Sequence, residues 1–75
     1  MTMIIFSERL KELRNLKTIT QKQLAIEIGM SETGYQHYER GTREPSLTNI
    51  VKLAKYFEVS SDYLLGLSDN PIPNH

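Results

Sequence analysis

Apolar residues recur at steps of three and four along most of this chain. Phe6, Leu10 and Leu13 open the series. Leu24, Ala25 and Ile28 follow, and Leu47, Ile50, Val51, Leu53, Ala54 and Phe57 make a broad third stripe. That spacing matches the turn of an α-helix and places each set on one face. Nowhere do apolar and polar residues alternate with the period of two that a half-buried strand needs. Helix limits come from shorter signals. Ser7 can cap the first helix. The run LKTIT, residues 16–20, interrupts the pattern with three β-branched residues in succession. Thr20 then opens TQKQ, a capping box in which the Thr20 hydroxyl accepts from the Gln23 amide and the Gln23 side chain reaches back. Gly29 stops helix 2 and Gly41 stops helix 3, where a left-handed residue costs little. Ser31 caps helix 3, and Ser46 caps helix 4 after Pro45. Ser60 or Ser61 opens a short fifth helix that Gly66 closes. The pattern predicts an all-α fold, a compact five-helix bundle over residues 1–68, with helix 2 at about 20–28 and helix 3 at about 31–40. The tail over 69–75 holds two prolines and no periodicity, and is expected to be flexible or extended.

Helix 3 has two unlike faces. At about 100° per residue, Tyr35 and Tyr38 share a side with Ser31 and Glu39, and that side turns inward. The other side carries Thr33, Gln36, His37 and Arg40, with Glu32 at the exposed start. None is needed to bury area, all can hydrogen-bond, and Arg40 is cationic. The major groove of DNA admits one helix and displays a distinct pattern of donors, acceptors and methyl groups. A merely solvated face would read the same from helix 3 alone. The joint with helix 2 sharpens the choice. Only about three residues, Gly29 to Ser31, connect the two helices, which forces the sharp angle of a helix-turn-helix. Ala25 sits where the crossing helices come closest, and Tyr35 fills the wedge between them.

Composition removes other functions. The 75 residues imply one domain with a thin core. There is no cysteine, so disulfides and thiolate metal sites are absent, and His37 and His75 are the only histidines. No catalytic triad or glycine-rich phosphate loop is present. Neither enzymatic activity, metal nor cofactor is expected. The opening MTMIIF is too short to span a membrane and lacks the marks of a signal peptide, so a soluble, cytoplasmic protein is expected. Nine basic residues balance nine acidic ones, which argues against a nonspecific nucleic-acid coat. The balance is local, however: residues 1–19 carry +2, residues 20–43 are neutral and residues 44–75 carry −2. An anion-binding face should therefore lie in the first two thirds. Ile4, Ile5, Leu67 and Ile72 are apolar residues near the ends that either form a dimer contact or cover the ends of a small core.

The run RNLKTITQKQLAIEIGMSETGYQHYERG from Arg14, followed by REPSL from Arg43 and VSSDYLLGLSD from Val59, resembles the Xre family of DNA-binding domains. That family includes the phage Cro proteins and the lambdoid phage repressors. The similarity covers about residues 7–68, and Gln21, Leu24, Ala25, Gly29, Glu39, Gly41 and Pro45 make it specific. It implies double-stranded DNA as partner, a recognition helix in the major groove and a homodimer on a pseudo-palindromic operator. It further implies that Gln21 bonds a phosphate and braces the recognition helix. Glu32, Thr33, Gln36 and His37 would read bases. Lys22, Arg40, Thr42 and Arg43 would hold phosphates, and Arg14 and Glu39 would form a buried ion pair. A transcriptional repressor is the function so implied. The alternative is an antitoxin or anti-regulator whose domain mainly binds a partner protein. With no second domain in this chain, regulation is expected through concentration, a partner or a small ligand. Two departures stand out. Gly34 lies inside the recognition helix, either to let backbone approach DNA or as drift at a tolerant position. Glu32 puts an acidic residue at a base-reading position.

Overall fold

The structure is a computed structural model that describes residues 2–73, with side chains from residue 5 onward. The Ile4 side chain and His75 lie outside the described residues. Five helices follow one another: α1 (Thr2–Lys17), α2 (Gln21–Ile28), α3 (Glu32–Arg40), α4 (Leu47–Phe57) and α5 (Ser61–Leu65). There is no strand among the described residues. The local signals explain the limits. Thr20 and Gln23 form the reciprocal capping box. Ser31, Ser46 and Ser60 each accept from the amide three residues on. Gly29, Gly41 and Gly66 end α2, α3 and α5 in the left-handed conformation.

Two expectations need correction. Ser7 does not cap α1, which begins at Thr2, so Ser7 lies buried within the helix. The apolar stripe continues upstream through Ile5, whose side chain covers the Gly66 turn so closely that a Cβ there would lie 3.0 Å from it. The stripe of α4 is also narrower than its sequence suggests. Ile50, Leu53, Ala54 and Phe57 are buried, whereas Leu47 and Val51 are exposed. Leu47 occupies the first turn, beyond the edge of the core, and Val51 sits a quarter-turn off the buried line.

Phe6 and Leu10 of α1, Leu24, Ala25 and Ile28 of α2, Tyr35 and Tyr38 of α3, and Leu64 of α5 meet the α4 residues in one core. Ala25 is almost fully buried where α2 crosses α3, the position at which a small side chain is required. Phe6 and Tyr38 meet edge to face at 5.7 Å. α3 therefore rests on α1 and α2, while α4 and α5 close the far side. The segment after α5 has no regular element but is tied to the body. The Arg9 guanidinium donates to the Tyr63 and Ser68 carbonyls, pairs with Asp69 at 2.9 Å and stacks on the Tyr63 ring. The Ser60 amide donates to the Pro71 carbonyl.

Two turns are made without glycine. Thr18 ends α1 at φ 58° and Glu58 ends α4 at the same φ. A β-branched residue is rare there, because Cβ crowds its own backbone by about 1–2 kcal/mol. Thr18 is exposed, so its side chain fills no cavity. Thr18→Gly should therefore raise stability by about 1 kcal/mol, the relief exceeding the extra freedom glycine gives the unfolded chain. A higher urea midpoint at unchanged slope is the expected reading. A lower midpoint would mean that the threonine side chain itself holds the α1–α2 turn.

Candidate nucleic-acid interface

The two faces of α3 differ in how their polar atoms are used. On the inner face Glu39 is only 3% exposed. Arg14 Nε donates to its Oε2 at 2.6 Å and Arg14 Nη2 to its Oε1 at 3.2 Å, a forked contact from α1. Gln21 Nε2 donates to Oε1 at 2.9 Å from the start of α2. The Tyr35 hydroxyl donates to Oε2 at 2.5 Å from one turn back. One carboxylate thus joins three helices. Burial alone would raise its pKa, but the Arg14, Tyr35 and Gln21 donors outweigh that and hold the Glu39 carboxyl below its usual range. The same hydrogen bonding raises Arg14. Burial, then donation to Glu39, pushes the Tyr35 phenol up. The Arg14–Glu39 pair expected from the resemblance is present, and so is the bracing contact of Gln21. The Tyr35 hydroxyl was not foreseen. It turns an aromatic wedge into a fourth member of the network.

On the outer face, Glu32 and Thr33 are exposed and Gln36 is half-buried, and their side chains engage no partner among the described residues. The same holds for the exposed Lys22, Arg40 and Arg43. Glu39 is the one acid of residues 20–43 taken out of the surface. The outward charge of this segment is thus Lys22, Arg40 and Arg43 against Glu27 and Glu32. A neutral segment in sequence becomes a weakly cationic surface in three dimensions. The nine residues of α3 make a rod about 13 Å long. That length passes about four base pairs at 3.4 Å each.

Three residues sit differently from expectation. Gly34 is buried, so it does not offer backbone to an outside partner. A Cβ there would meet the Ser31 hydroxyl at 3.0 Å and the Met30 methyl at 3.3 Å, with Arg43 Nη1 at 3.7 Å. The missing side chain makes room for the Ser31 cap and Met30. His37 and Thr42 are bonded to each other, with Nδ1 and Oγ1 2.8 Å apart. Among the end residues, Ile5 is half-buried over Gly66, while Leu67 and Ile72 are 69% and 70% exposed. Leu16, Ile26 and Leu47 are exposed as well. Contacts from α4 that brace this unit also escaped the sequence reading. Asn49 Nδ2 donates to the Tyr38 hydroxyl at 2.9 Å, and Lys52 Nζ donates to the Ile28 carbonyl at the end of α2. Their polar side chains give no sign of a target 11 and 24 residues away.

Known proteins resemble this chain in sequence and in fold. Residues 10–64 match the helix-turn-helix family model HTH_3. The chain is 41% identical over 69 residues to the HTH-type transcriptional regulator YobD of Bacillus subtilis, covering 92% of this chain and 62% of that protein. It is 46% identical over 59 residues to the cryptic phage CTXphi transcriptional repressor RstR of Vibrio cholerae, covering 79% of this chain and 53% of that one. The chain thus spans rather more than half the length of these relatives. Among solved structures, the P22 c2 repressor in complex with a synthetic operator superposes with a TM-score of 0.80 at 31% identity, covering 85% of this chain and 97% of that one. Fold, joint geometry and sequence agree: the chain belongs to the Xre-type helix-turn-helix family of lambdoid phage repressor domains.

Proposed function

We propose that this protein is a sequence-specific DNA-binding transcriptional regulator, a repressor that places α3 in the major groove of a pseudo-palindromic operator. Glu32, Thr33, Gln36 and His37 read bases. Gln21, Lys22, Arg40 and Arg43 hold phosphates, Gln21 using the amide hydrogen that Glu39 leaves over. The observation that carries this reading is the division of α3. Every polar group on its inner face is committed, whereas Glu32, Thr33 and Gln36, with the cations Lys22, Arg40 and Arg43 beside them, have no side-chain partner among the described residues. A helix face kept polar and unpaired next to positive charge suits the edges of base pairs. RstR, a phage repressor, and the operator-bound P22 c2 repressor support the assignment. The protein works in the cytoplasm and binds as a homodimer, since one short helix per half-site gives modest affinity and a two-fold pair doubles the contacts. The exposed Leu67 and Ile72 are the candidate dimer residues.

Selection of bound sites from a random duplex library tests this directly. An enriched pseudo-palindrome, with half-site centres about 10 bp apart or a multiple, is expected. Affinity should fall with salt as about three released counterions per subunit, one for each of Lys22, Arg40 and Arg43. Weak binding without an enriched sequence would overturn the proposal and turn attention to a protein partner.

A further inference from the structure

Among the outward residues of α3, His37 alone can change its charge between about pH 5 and 8. We propose that His37 takes up a proton as α3 meets DNA, with Thr42 holding the imidazole in both charge states, so that binding tightens as pH falls. The inference rests on the reading of α3 as the helix that faces DNA. It concerns the charge of one residue and not which base that residue meets.

The contact with Thr42 serves a neutral and a charged ring alike. His37 Nδ1 and Thr42 Oγ1 lie 2.8 Å apart, and the Thr42 hydroxyl also reaches the His37 carbonyl at 3.3 Å. Where Nδ1 carries no hydrogen, the hydroxyl donates to it. Where Nδ1 carries one, as it must in the imidazolium, Nδ1 donates to Oγ1 and the hydroxyl turns to the carbonyl. Charging the ring therefore costs no hydrogen bond to Thr42. His37 also lies in the last turn of α3, where the carbonyl end of the helix favours a cation.

The protein itself supplies no counter-charge. The ion pairs among the described residues are Arg9–Asp69 and Arg14–Glu39, and the imidazole belongs to neither. The elements that carry or adjoin the ring hold Lys22 and Glu27 on α2, Glu32 and Arg40 on α3, and Arg43 and Glu44 in the turn beyond it. Lys52 of α4 is bonded to the Ile28 carbonyl. Arg40 is three residues on along the same face and opposes a second positive charge in the free protein. Phosphates reverse this, since they offset the cations and attract a charge on the ring. Proton binding at His37 and DNA binding thus favour each other. The inner network does not blur the effect. Glu39 is held below the usual carboxylate range and the Tyr35 phenol is pushed up, so both keep one charge state between about pH 5.5 and 8.

Calorimetric titration of the whole chain with its selected duplex, at about pH 6.5 in buffers of differing ionisation enthalpy, counts the protons taken up. Uptake of a fraction of a proton per subunit is expected in wild type and in His75→Gln. His37→Gln should take up none. Between about pH 8 and 5.5 the affinity of the wild type should rise by about three- to tenfold per subunit, and the salt slope should steepen by about one counterion per subunit. Both changes should vanish in His37→Gln. Thr42→Ser should behave as wild type, whereas Thr42→Val, which removes the acceptor for the Nδ1 hydrogen, should take up less. No uptake, proton release or an affinity that falls toward acid pH would overturn the inference, and so would uptake that persists in His37→Gln. Uptake by Thr42→Val equal to that of wild type would overturn the part given to Thr42. An enriched pseudo-palindrome bound without proton uptake would remove this inference and leave the reading of α3 intact. Absence of any enriched sequence would overturn that reading and this inference with it.

Discussion

Glu39→Gln is expected to lower folding stability by about 3 kcal/mol, read from the urea midpoint. A glutamine keeps the shape but halves the acceptor capacity. It also turns an amide hydrogen toward donors on Arg14, Gln21 and Tyr35. Breaking a buried pair from one side costs about 3–5 kcal/mol, because the partner charge is left desolvated. The lower end applies here, since the Arg14 side chain keeps 17% of its surface in water. A domain of this length has on the order of 5 kcal/mol in all, so the variant should sit near the edge of folding at 25 °C. The pH dependence follows from the same contacts. The Glu39 pKa is lowered on folding. Its contribution is therefore complete above the ordinary glutamate value of about 4.3 and is lost as pH falls through the lower folded value. Tyr35 is shifted upward. Its contribution is complete below about 10 and is lost as pH rises through the folded value. The wild type should thus lose stability on both limbs, and Glu39→Gln should lack most of the acid limb. A cost under about 1 kcal/mol with the acid limb intact would mean that the network behaves like a surface ion pair.

The second large effect concerns binding. Gln36→Ala should cut discrimination at a single base pair by about 1–3 kcal/mol while leaving the salt dependence unchanged, and Thr33→Ala should relax a neighbouring pair. Arg43→Ala should weaken every sequence alike and reduce the salt slope by about one. The contrast comes from where the charge is. Gln36 is neutral and lies on the outer face of α3, whereas Arg43 is an exposed cation in the turn beyond it, its guanidinium close over Gly34. Competition titrations across single-base variants of the selected site, at two salt concentrations, separate the two patterns. Were Gln36→Ala and Arg43→Ala to lose affinity with the same uniform profile, α3 would not be the reader.

What the sequence revealed was whatever is written within three or four neighbouring residues. The caps at Thr20, Ser31, Ser46 and Ser60 and the stops at Gly29, Gly41 and Gly66 are short-range signals, and the helices begin and end there. The burial of Tyr35 and Tyr38 followed from periodicity, as did that of Leu24, Ala25 and Ile28. Three kinds of feature were not legible. The left-handed turns at Thr18 and Glu58 carry no glycine to mark them. The reach of Arg9 to Ser68 and Asp69 joins positions 59 and 60 residues apart, and nothing local to Arg9 names its partners. The hydroxyls of Tyr35 and Thr42 were assigned by side-chain type, as wedge and as phosphate ligand, when each also had a single hydrogen to place. The opening turns of α1 failed for a different reason. Ser7 looks like a cap because serine so often is one, and the apolar residues upstream extended the helix past it.

The two-sided use of α3 bears on how such a protein diverges. Residues that hold the domain together and residues that face outward alternate within nine positions, yet they share almost no contacts. Substitutions at Glu32, Thr33 and Gln36 can accumulate one at a time with little toll on folding, so a duplicated copy could acquire a new target by drift through folded intermediates. Position 37 differs, because its ring is bonded to Thr42, outside the helix, so a change there also frees the Thr42 hydroxyl.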